Sequence, residues 1–505
     1  MKTALVCDGE RWSYREIENC ANGLAALLSA AGIVRQDRIL IFLENSVEAV
    51  LSIWGVLKAG GVFVVLNPLL KPRKFGFILR NSGASMLITD SKRLENVRSA
   101  LEGAESLRQI FLCDPKPLQA RTVETSGHSS CRISSFWEKI DPSRPYPRPL
   151  TNNTLETDLA TLVYTSGTTG EPKGIMSAHQ NVRAVIQSIT SYLSNRPEDI
   201  ILNLLPLSFD YGLYQALMAV AFGGTLVLEK GFGYPHTVVE RVKQEQVTGF
   251  PIVPTIATLL LKMHGLRKNQ FESLRYISST GDVFPVPVIR KLRALLPHVS
   301  IFSMYGLTEC KRVSYLPPDQ LDKRPHSVGI PIPNEEVFVV DENGNEVPPG
   351  QVGELVIRGP NVMQGYWNAP EETAKRFRPG RSRGEVSLYS GDLFKRDEEG
   401  YLYFVARKDD MIKTKGERVS PKEIENALCE MKGVAEVAVI GVPDDILGQA
   451  IRAFVVMKKG HSLKEQGVIK YCSRNLEPFV VPKYVEFVES LPRSPNGKID
   501  KKQLK

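Results

Sequence analysis

Cysteine is scarce in this sequence. Seven lie scattered among 505 residues, at Cys7, Cys20, Cys113, Cys131, Cys310, Cys429 and Cys472. The count is odd and no two have CxxC spacing, which argues against a disulfide framework and a structural zinc site. Reduced thiols in a cytosol fit better. Histidine is equally sparse, seven in all, with no HExxH pair. No dense Lys/Arg tract with interleaved aromatics occurs, so nucleic acid is not an expected partner. Long apolar runs are missing too. Residues 50–70 are interrupted by Lys58, and residues 213–228 by Gln215, Gly223 and Gly224. Both read as a buried helix followed by a strand, not as membrane spans. Residues 1–14 carry Asp8, Glu10 and Arg11 where a signal peptide would have an apolar core. The expectation is a soluble, cytoplasmic protein without a membrane span.

What is present is ordinary for a globular chain: 42% hydrophobic and 24% charged residues. The net charge of +8 reads first as a lysine-rich solvated surface. It also suits attraction to nucleotides, coenzyme A or an acidic protein. The length exceeds a single core, since domains run to about 50–250 residues. Helical spacing over 15–31 and 47–59 alternates with short apolar runs at 38–42 and 61–66. This is the rhythm of an α/β domain with a largely parallel sheet. Residues 114–153 are rich in Pro, Ser, Thr and Arg and read as a surface excursion. The α/β rhythm resumes at Leu159 and runs to about Ser303. From Val328 a β-rich segment follows, with Asn343-Gly344 as hairpin chemistry. After Lys408 the pattern becomes a compact α+β unit. The expected division is 1–408 and 409–505.

Five segments carry chemistry. The first runs from Thr165 to Gly174 and contains Ser166, Gly167, Thr168, Thr169, Gly170 and Lys173. Its glycines allow close backbone approach, and its hydroxyls and lysine suit a polyphosphate. The order is not that of a Walker A loop. The second is Ser303-Met304-Tyr305-Gly306-Leu307-Thr308-Glu309. Tyr305 suits stacking on a base, while Thr308 and Glu309 suit a metal ion held against phosphate. The third is Ser390-Gly391-Asp392, an aspartate able to accept both hydroxyls of a ribose. The fourth spans Arg407 to Glu425 and includes Asp409 and Gly416. The last is Pro495-Asn496-Gly497-Lys498, whose lysine, by itself, reads as a solvated surface group.

In this order and spacing the five segments resemble the adenylate-forming superfamily: acyl-CoA synthetases, adenylation domains of nonribosomal peptide synthetases, and luciferases. The resemblance runs from about Trp12 to Lys502. It implies a large N-terminal domain of two α/β subdomains plus a β subdomain, capped by a small mobile α+β C-terminal domain. It implies ATP and Mg²⁺, formation of acyl-AMP with release of pyrophosphate, and transfer of the acyl group to a thiol. By position, Thr165 to Lys173 should embrace the pyrophosphate end of ATP. Gly281, Asp282 and Tyr305 should frame the adenine, with Gly306 beside them. Thr308 should touch the α-phosphate, and Glu309 should hold the metal. Asp392 should bind the ribose, with Arg407 nearby. Asp409 should be the hinge, Gly416 should line the pantetheine path, and Lys498 should be the adenylation lysine.

The chemistry needs no side-chain nucleophile, because the substrate carboxylate attacks. A lysine and Mg²⁺ offset the charge that builds on the phosphate. Lys173, Glu309, Asp392 and Lys498 are all present, which argues against a degenerate, non-catalytic relative. An adenylating ligase with an amine or hydroxyl acceptor is the alternative. The sequence departs from many fatty and aryl acyl-CoA synthetases after Leu207. Their Phe-His pair is replaced by Phe209-Asp210, which looks more like amino-acid-activating members; otherwise Asp210 merely caps a helix. By motif position the acid pocket should comprise Asp210, Tyr211, Tyr214, Ser278, Thr280, Met304, Arg312 and Val313. A long fatty acid would leave these polar groups unpaired, so a small amino acid or similarly polar short acid is expected. A short- or medium-chain or aryl acid is the alternative. The sequence ends soon after Lys498, so the acceptor thiol is expected from coenzyme A or a free-standing carrier protein.

Overall fold

The computed structural model describes residues 1–114, 121–124, 130–147, 154–166, 171–282, 284–382, 384–414, 417–444, 447–476, 480–494 and 498–504. Four sheets organise them. The first has eight strands, in the order Pro172–Ala178, Leu159–Ser166, Val62–Val65, Arg38–Phe42, Met86–Thr89, Gln109–Leu112, Ser130–Ser135 and Arg121–Glu124. Its inner strands are parallel. The four central ones, from Val62–Val65 to Gln109–Leu112, are mostly apolar because both faces are buried. Along one of them Ile39 and Ile41 join one core, while Leu40 and Phe42 join another.

The second sheet has nine strands, and its six central ones are parallel: Ser300–Tyr305, Tyr276–Ser279, Gly249–Ile252, Ile200–Asn203, Thr225–Leu228 and Thr3–Cys7. The two sheets share one apolar core, to which Phe63 comes from the first and Leu202, Phe250 and Ile277 from the second. Helix ends follow local rules. Helix Tyr14–Ala30 starts at a capping box in which Glu16 Oε2 accepts from the Ser13 N–H at 2.7 Å. Helix Asp210–Phe222 ends at Gly223 with φ +71°, so strand Thr225–Leu228 can follow at once.

The third sheet is antiparallel and contains Glu336–Val340, Gly353–Arg358, Val386–Arg396, Phe377–Pro379 and Leu402–Arg407. Asn343-Gly344 turns the chain as expected, closed by Gly344 N–H donating to the Asp341 carbonyl at 3.1 Å. The fourth sheet contains Ile412–Thr414, Glu417–Val419, Val434–Asp444, Gly448–Met457 and Tyr484–Phe487. It packs with helices Pro421–Glu430 and Glu465–Asn475 around its own core of Ile424, Leu428, Val439, Val455 and Val468. The fold is therefore α/β, with a large N-terminal part and a smaller C-terminal one.

One stretch differs from its sequence pattern. Residues 114–153 are not wholly a surface excursion. Strand Ser130–Ser135 continues the parallel sheet beside Gln109–Leu112 and buries Cys131. Six residues with two apolar side chains on one face are too few to stand out among flanking Pro, Ser and Thr.

Candidate active site

The candidate residues gather outside the carboxyl ends of the parallel strands of the nine-stranded sheet, where open α/β sheets bind ligands. Strand Tyr276–Ser279 delivers Ser278 and then Thr280, Gly281 and Asp282. Strand Ser300–Tyr305 delivers Met304 and Tyr305. Asp210 is the first residue of its helix. The N-cap is Phe209, and no side-chain cap bond forms there, so capping does not explain Asp210.

Beyond Tyr305 the chain reverses tightly and returns antiparallel, Tyr305 opposite Ser314. Val313 N–H donates to the Tyr305 carbonyl at 3.0 Å. A Cβ on Gly306 would lie 2.2 Å from the Lys311 carbonyl oxygen, so only glycine allows this turn. The turn fixes Thr308 and Glu309. Glu309 Oε1 accepts from Tyr366 Oη at 2.7 Å and lies 3.8 Å from Arg376. Among the described residues no hydrogen bond reaches its second oxygen. A single free carboxylate oxygen of this kind fits a hard divalent cation that takes its remaining ligands from phosphate and water. No group of three His, Cys, Asp or Glu side chains forms a metal cage among the described residues.

Thr165 and Lys173 sit opposite each other on the hairpin of Leu159–Ser166 and Pro172–Ala178, with Ser166 opposite Pro172. Lys173 Nζ pairs with Glu372 Oε2 at 2.7 Å and stands 5.4 Å from the Tyr366 ring centre. That hydrogen bond, with one from Lys375, holds the Glu372 carboxyl down to about 2. Gly167, Thr168, Thr169 and Gly170 at the hairpin tip lie outside the described residues, as does Gly416.

Asp392 is buried on strand Val386–Arg396, directly opposite Arg407 of the neighbouring strand. Tyr305 Oη donates to Asp392 Oδ2 at 2.5 Å, and Arg407 Nε is 3.9 Å from Oδ1. Burial pushes the Asp392 carboxyl above its ordinary value, opposed by Tyr305 and Arg407. The Tyr305 ring packs edge-on against Phe394, 4.9 Å between centres. Asp409 lies in the single turn Lys408–Asp410, between strands Leu402–Arg407 and Ile412–Thr414.

Lys498 arrives from the C-terminal part. Its turn is closed by Ser494 N–H donating to the Lys498 carbonyl at 2.7 Å. Its Cε is 3.9 Å from where a Gly281 Cβ would stand. Nearby, Arg493 Nη1 donates to Thr255 Oγ1 at 3.1 Å across to the N-terminal part. Burial lowers the Lys498 ammonium below its ordinary value of 10.5, while Asp210, Asp282 and Asp392 oppose the shift. Arg407 adds to the lowering, so the lysine lies within the field of three carboxylates and one guanidinium.

The acid-pocket candidates divide. Tyr211 Oη donates to the Ser278 carbonyl at 2.8 Å, and Arg312 stacks 5.1 Å from the Tyr211 ring centre. The Met304 sulfur accepts from Tyr192 Oη at 3.0 Å. Tyr214 is buried between these groups and Lys311. Thr280 is buried beside Gly281. Val313 packs instead into the apolar cluster of Ile175, Cys310 and Leu355, under the third sheet. Sequence reasoning missed Lys311, Tyr366, Glu372 and Arg376. Lys311 lies two residues beyond the end of the Ser303–Glu309 motif; the other three belong to a stretch with no motif.

The model of the AMP-binding enzyme family matches residues 1–367, and that of the AMP-binding enzyme C-terminal domain matches residues 423–498. The chain belongs to the AMP-binding enzyme family. It is 31% identical over 523 residues to a long-chain-fatty-acid–CoA ligase of Escherichia coli O6:H1, covering 99% of this chain and 91% of that one. It is 28% identical over 507 residues to gramicidin S synthase 2 of Brevibacillus brevis, covering 99% of this chain and 10% of that one. ATP-bound MatB from Rhodopseudomonas palustris superposes with a TM-score of 0.88 at 29% identity, covering 100% of this chain and 95% of that one. This AMP-binding enzyme is an AMP-forming ligase of the acyl-CoA synthetase type. Among its described residues no helix is long and apolar enough to cross a membrane.

Proposed function

We propose that this AMP-binding enzyme activates a short polar carboxylic acid as its acyl-adenylate and passes the acyl group to the thiol of coenzyme A or of a carrier protein's phosphopantetheine. The observation that carries the reading is Lys498 reaching Gly281 amid Asp210, Asp282 and Asp392. A buried ammonium within the influence of these carboxylates and of Arg407 is poised to receive an anion shared between substrate and nucleotide. In the first half-reaction a carboxylate oxygen attacks the α-phosphorus, and the bond to the bridging oxygen of pyrophosphate breaks. Lys498 offsets the added negative charge, and Thr308 donates to the α-phosphate. Glu309 would hold Mg²⁺, which supplies further charge neutralisation on the phosphates. Thr165, Ser166 and Lys173 receive the leaving pyrophosphate, together with the tip residues Gly167, Thr168, Thr169 and Gly170. Asp392, oriented by Tyr305 and Arg407, accepts the ribose hydroxyls, while Asp282 and Gly306 border the adenine.

In the second half-reaction the thiol sulfur attacks the acyl carbon, a C–S bond forms, and AMP leaves. We propose that residues 409–505 turn about Asp409 between the two steps, withdrawing Lys498 and bringing Gly416 to the thiol path. The single turn Lys408–Asp410 between two strands supports a pivot there. Residues 1–408 would then hold the nucleotide and acid throughout. The test is ATP–pyrophosphate exchange over a panel of acids, followed by thiol-dependent release of AMP. Exchange with no thiol dependence, and amide formation on adding amines, would favour an amine acceptor.

A further inference from the structure

Part of the proposed acid site is built from buried donor atoms that lack an acceptor. Lys311 and Arg312 are 6% and 4% exposed. Among the described residues Lys311 Nζ, Arg312 Nε and Tyr214 Oη have no hydrogen-bond partner. The three belong to one patch. Lys311 Nζ stands 5.9 Å from the Tyr214 ring centre, and Arg312 stands 5.1 Å from that of Tyr211, one helical turn before Tyr214. No ion pair within 4.0 Å is formed by either cation among the described residues. Asp210 and Glu309 act on Lys311 from farther off, and Asp210 is also shared with Lys498.

Buried cations without an ion pair are rare, because burial removes hydration that an anion or a set of neutral acceptors must replace. The backbone adds to the point: Lys311 adopts φ +64°, a strained left-handed conformation that the tight turn imposes. A polar side chain held so, inside a substrate crevice, awaits a ligand of opposite charge. An aliphatic tail would leave the donors unpaired. An amine-bearing acid would bring one more cation to an Asp210 that already faces two lysines.

We propose that the acid substrate is a short α,ω-dicarboxylic acid, whose distal carboxylate is received by Lys311, Arg312 and the Tyr214 hydroxyl while its other carboxylate is adenylated. This rests on the acid-activating reading above.

The test is ATP–pyrophosphate exchange with succinate, glutarate and adipate, each against the monocarboxylate of equal length, and with glutamate and alanine. The best diacid should exceed its chain-matched monoacid at least about ten-fold in kcat/KM, the worth of one charge-assisted hydrogen bond. In Lys311→Met, and separately in Arg312→Gln, that ratio should fall by about 10- to 100-fold. Calorimetric binding of the same diacid should weaken in parallel, and far-UV circular dichroism should show both variants folded. Equal exchange with monoacids or amino acids, or an unchanged ratio in both variants, would overturn the subsite while leaving the acid-activating reading intact. Exchange with no acid of any class would instead overturn that reading, and the subsite with it.

Discussion

Replacing Lys498 separates the two half-reactions. In this conformation its side chain reaches Gly281, and its ammonium feels the charges of Asp210, Asp282, Asp392 and Arg407. An ammonium about 4 Å from a full negative charge gains about 4 kcal/mol at an effective dielectric of ~20. The ground-state phosphate already carries negative charge, so only part of that gain is specific to the transition state. Loss of one preorganised contact of this type costs about 100- to 1,000-fold. Lys498→Ala should therefore lower ATP–pyrophosphate exchange by that factor. Thioester formation from synthetic acyl-adenylate should change less than about three-fold, because the lysine has no charge to offset when a thiol attacks the acyl carbon. Rapid quench with either ATP plus acid, or acyl-adenylate plus coenzyme A, measures the two steps apart.

The pH profile gives a second reading of the same residue. Burial lowers the Lys498 ammonium below 10.5. The active, charged form is then lost as pH rises through that lowered value. Exchange should show an alkaline limb below that of a free lysine, and Lys498→Arg should remove the limb whatever its absolute rate, since a guanidinium stays charged. Equal losses in both half-reactions, or an alkaline limb unchanged in the arginine variant, would refute the role.

Three further outcomes follow from the geometry. Tyr305→Phe removes the bond that helps hold the Asp392 carboxyl down, so KM for ATP should rise about ten-fold, ~1.5 kcal/mol, and its acidic limb should move to higher pH, read from steady-state KM against pH. Glu372→Gln frees Lys173 from its ion pair, so KM for ATP should fall by up to about five-fold, a surface pair being worth no more than ~1 kcal/mol; a raised KM would show that Glu372 positions Lys173 and does not compete for it. Lys311→Met should stabilise the ligand-free protein by about 1–3 kcal/mol in urea unfolding. The folded-state ammonium is depressed below 10.5, so the unfolded chain binds the extra proton and wild-type stability rises with pH up to that value. The variant's advantage should therefore be largest at neutral pH and shrink toward pH 10.5.

The elements were legible where the periodicity was long. The helix read over 15–31 forms at Tyr14–Ala30, the strand at 38–42 forms there, and the helix read over 47–59 forms at Val47–Lys58. Each has several apolar side chains committed to a core, so local pattern and tertiary burial agree. The strand at Ser130–Ser135 was missed because it enters an already formed sheet edge and needs little pattern of its own. In the site, residues inside the motifs came together: Tyr305 with Asp392, and Lys498 with Gly281. The partners of those residues were not legible. Glu372 and Tyr366 meet Lys173 and Glu309 only because helix Pro370–Arg376 and the segment before it fold back on the hairpin, a contact spanning almost 200 positions that no local pattern encodes.

Asp210 shows most clearly what the fold adds to the sequence. Read along the chain, an aspartate after Phe209 suggests a seat for a substrate ammonium, because the pair resembles amino-acid-activating members of the family. In the fold, two lysines from distant segments turn their charge on it. Lys311 comes from the turn that Gly306 makes possible, and Lys498 comes from the C-terminal part. Lys311 and Lys498 both feel the charge of Asp210, while Arg312 stands over the Tyr211 ring. A substrate ammonium would add a cation beside Lys311 and Lys498, and a monocarboxylate would bring no anion to Lys311 once its own is committed to the α-phosphate. A second carboxylate would supply the acceptor that the buried Lys311 and Arg312 nitrogens lack. The same aspartate also couples the two ends of the reaction. If Lys498 withdraws for the thiol step as proposed, Asp210 would lose one of its cations and turn more fully to Lys311, so the grip on the distal acid should loosen just as the acyl group is to be released.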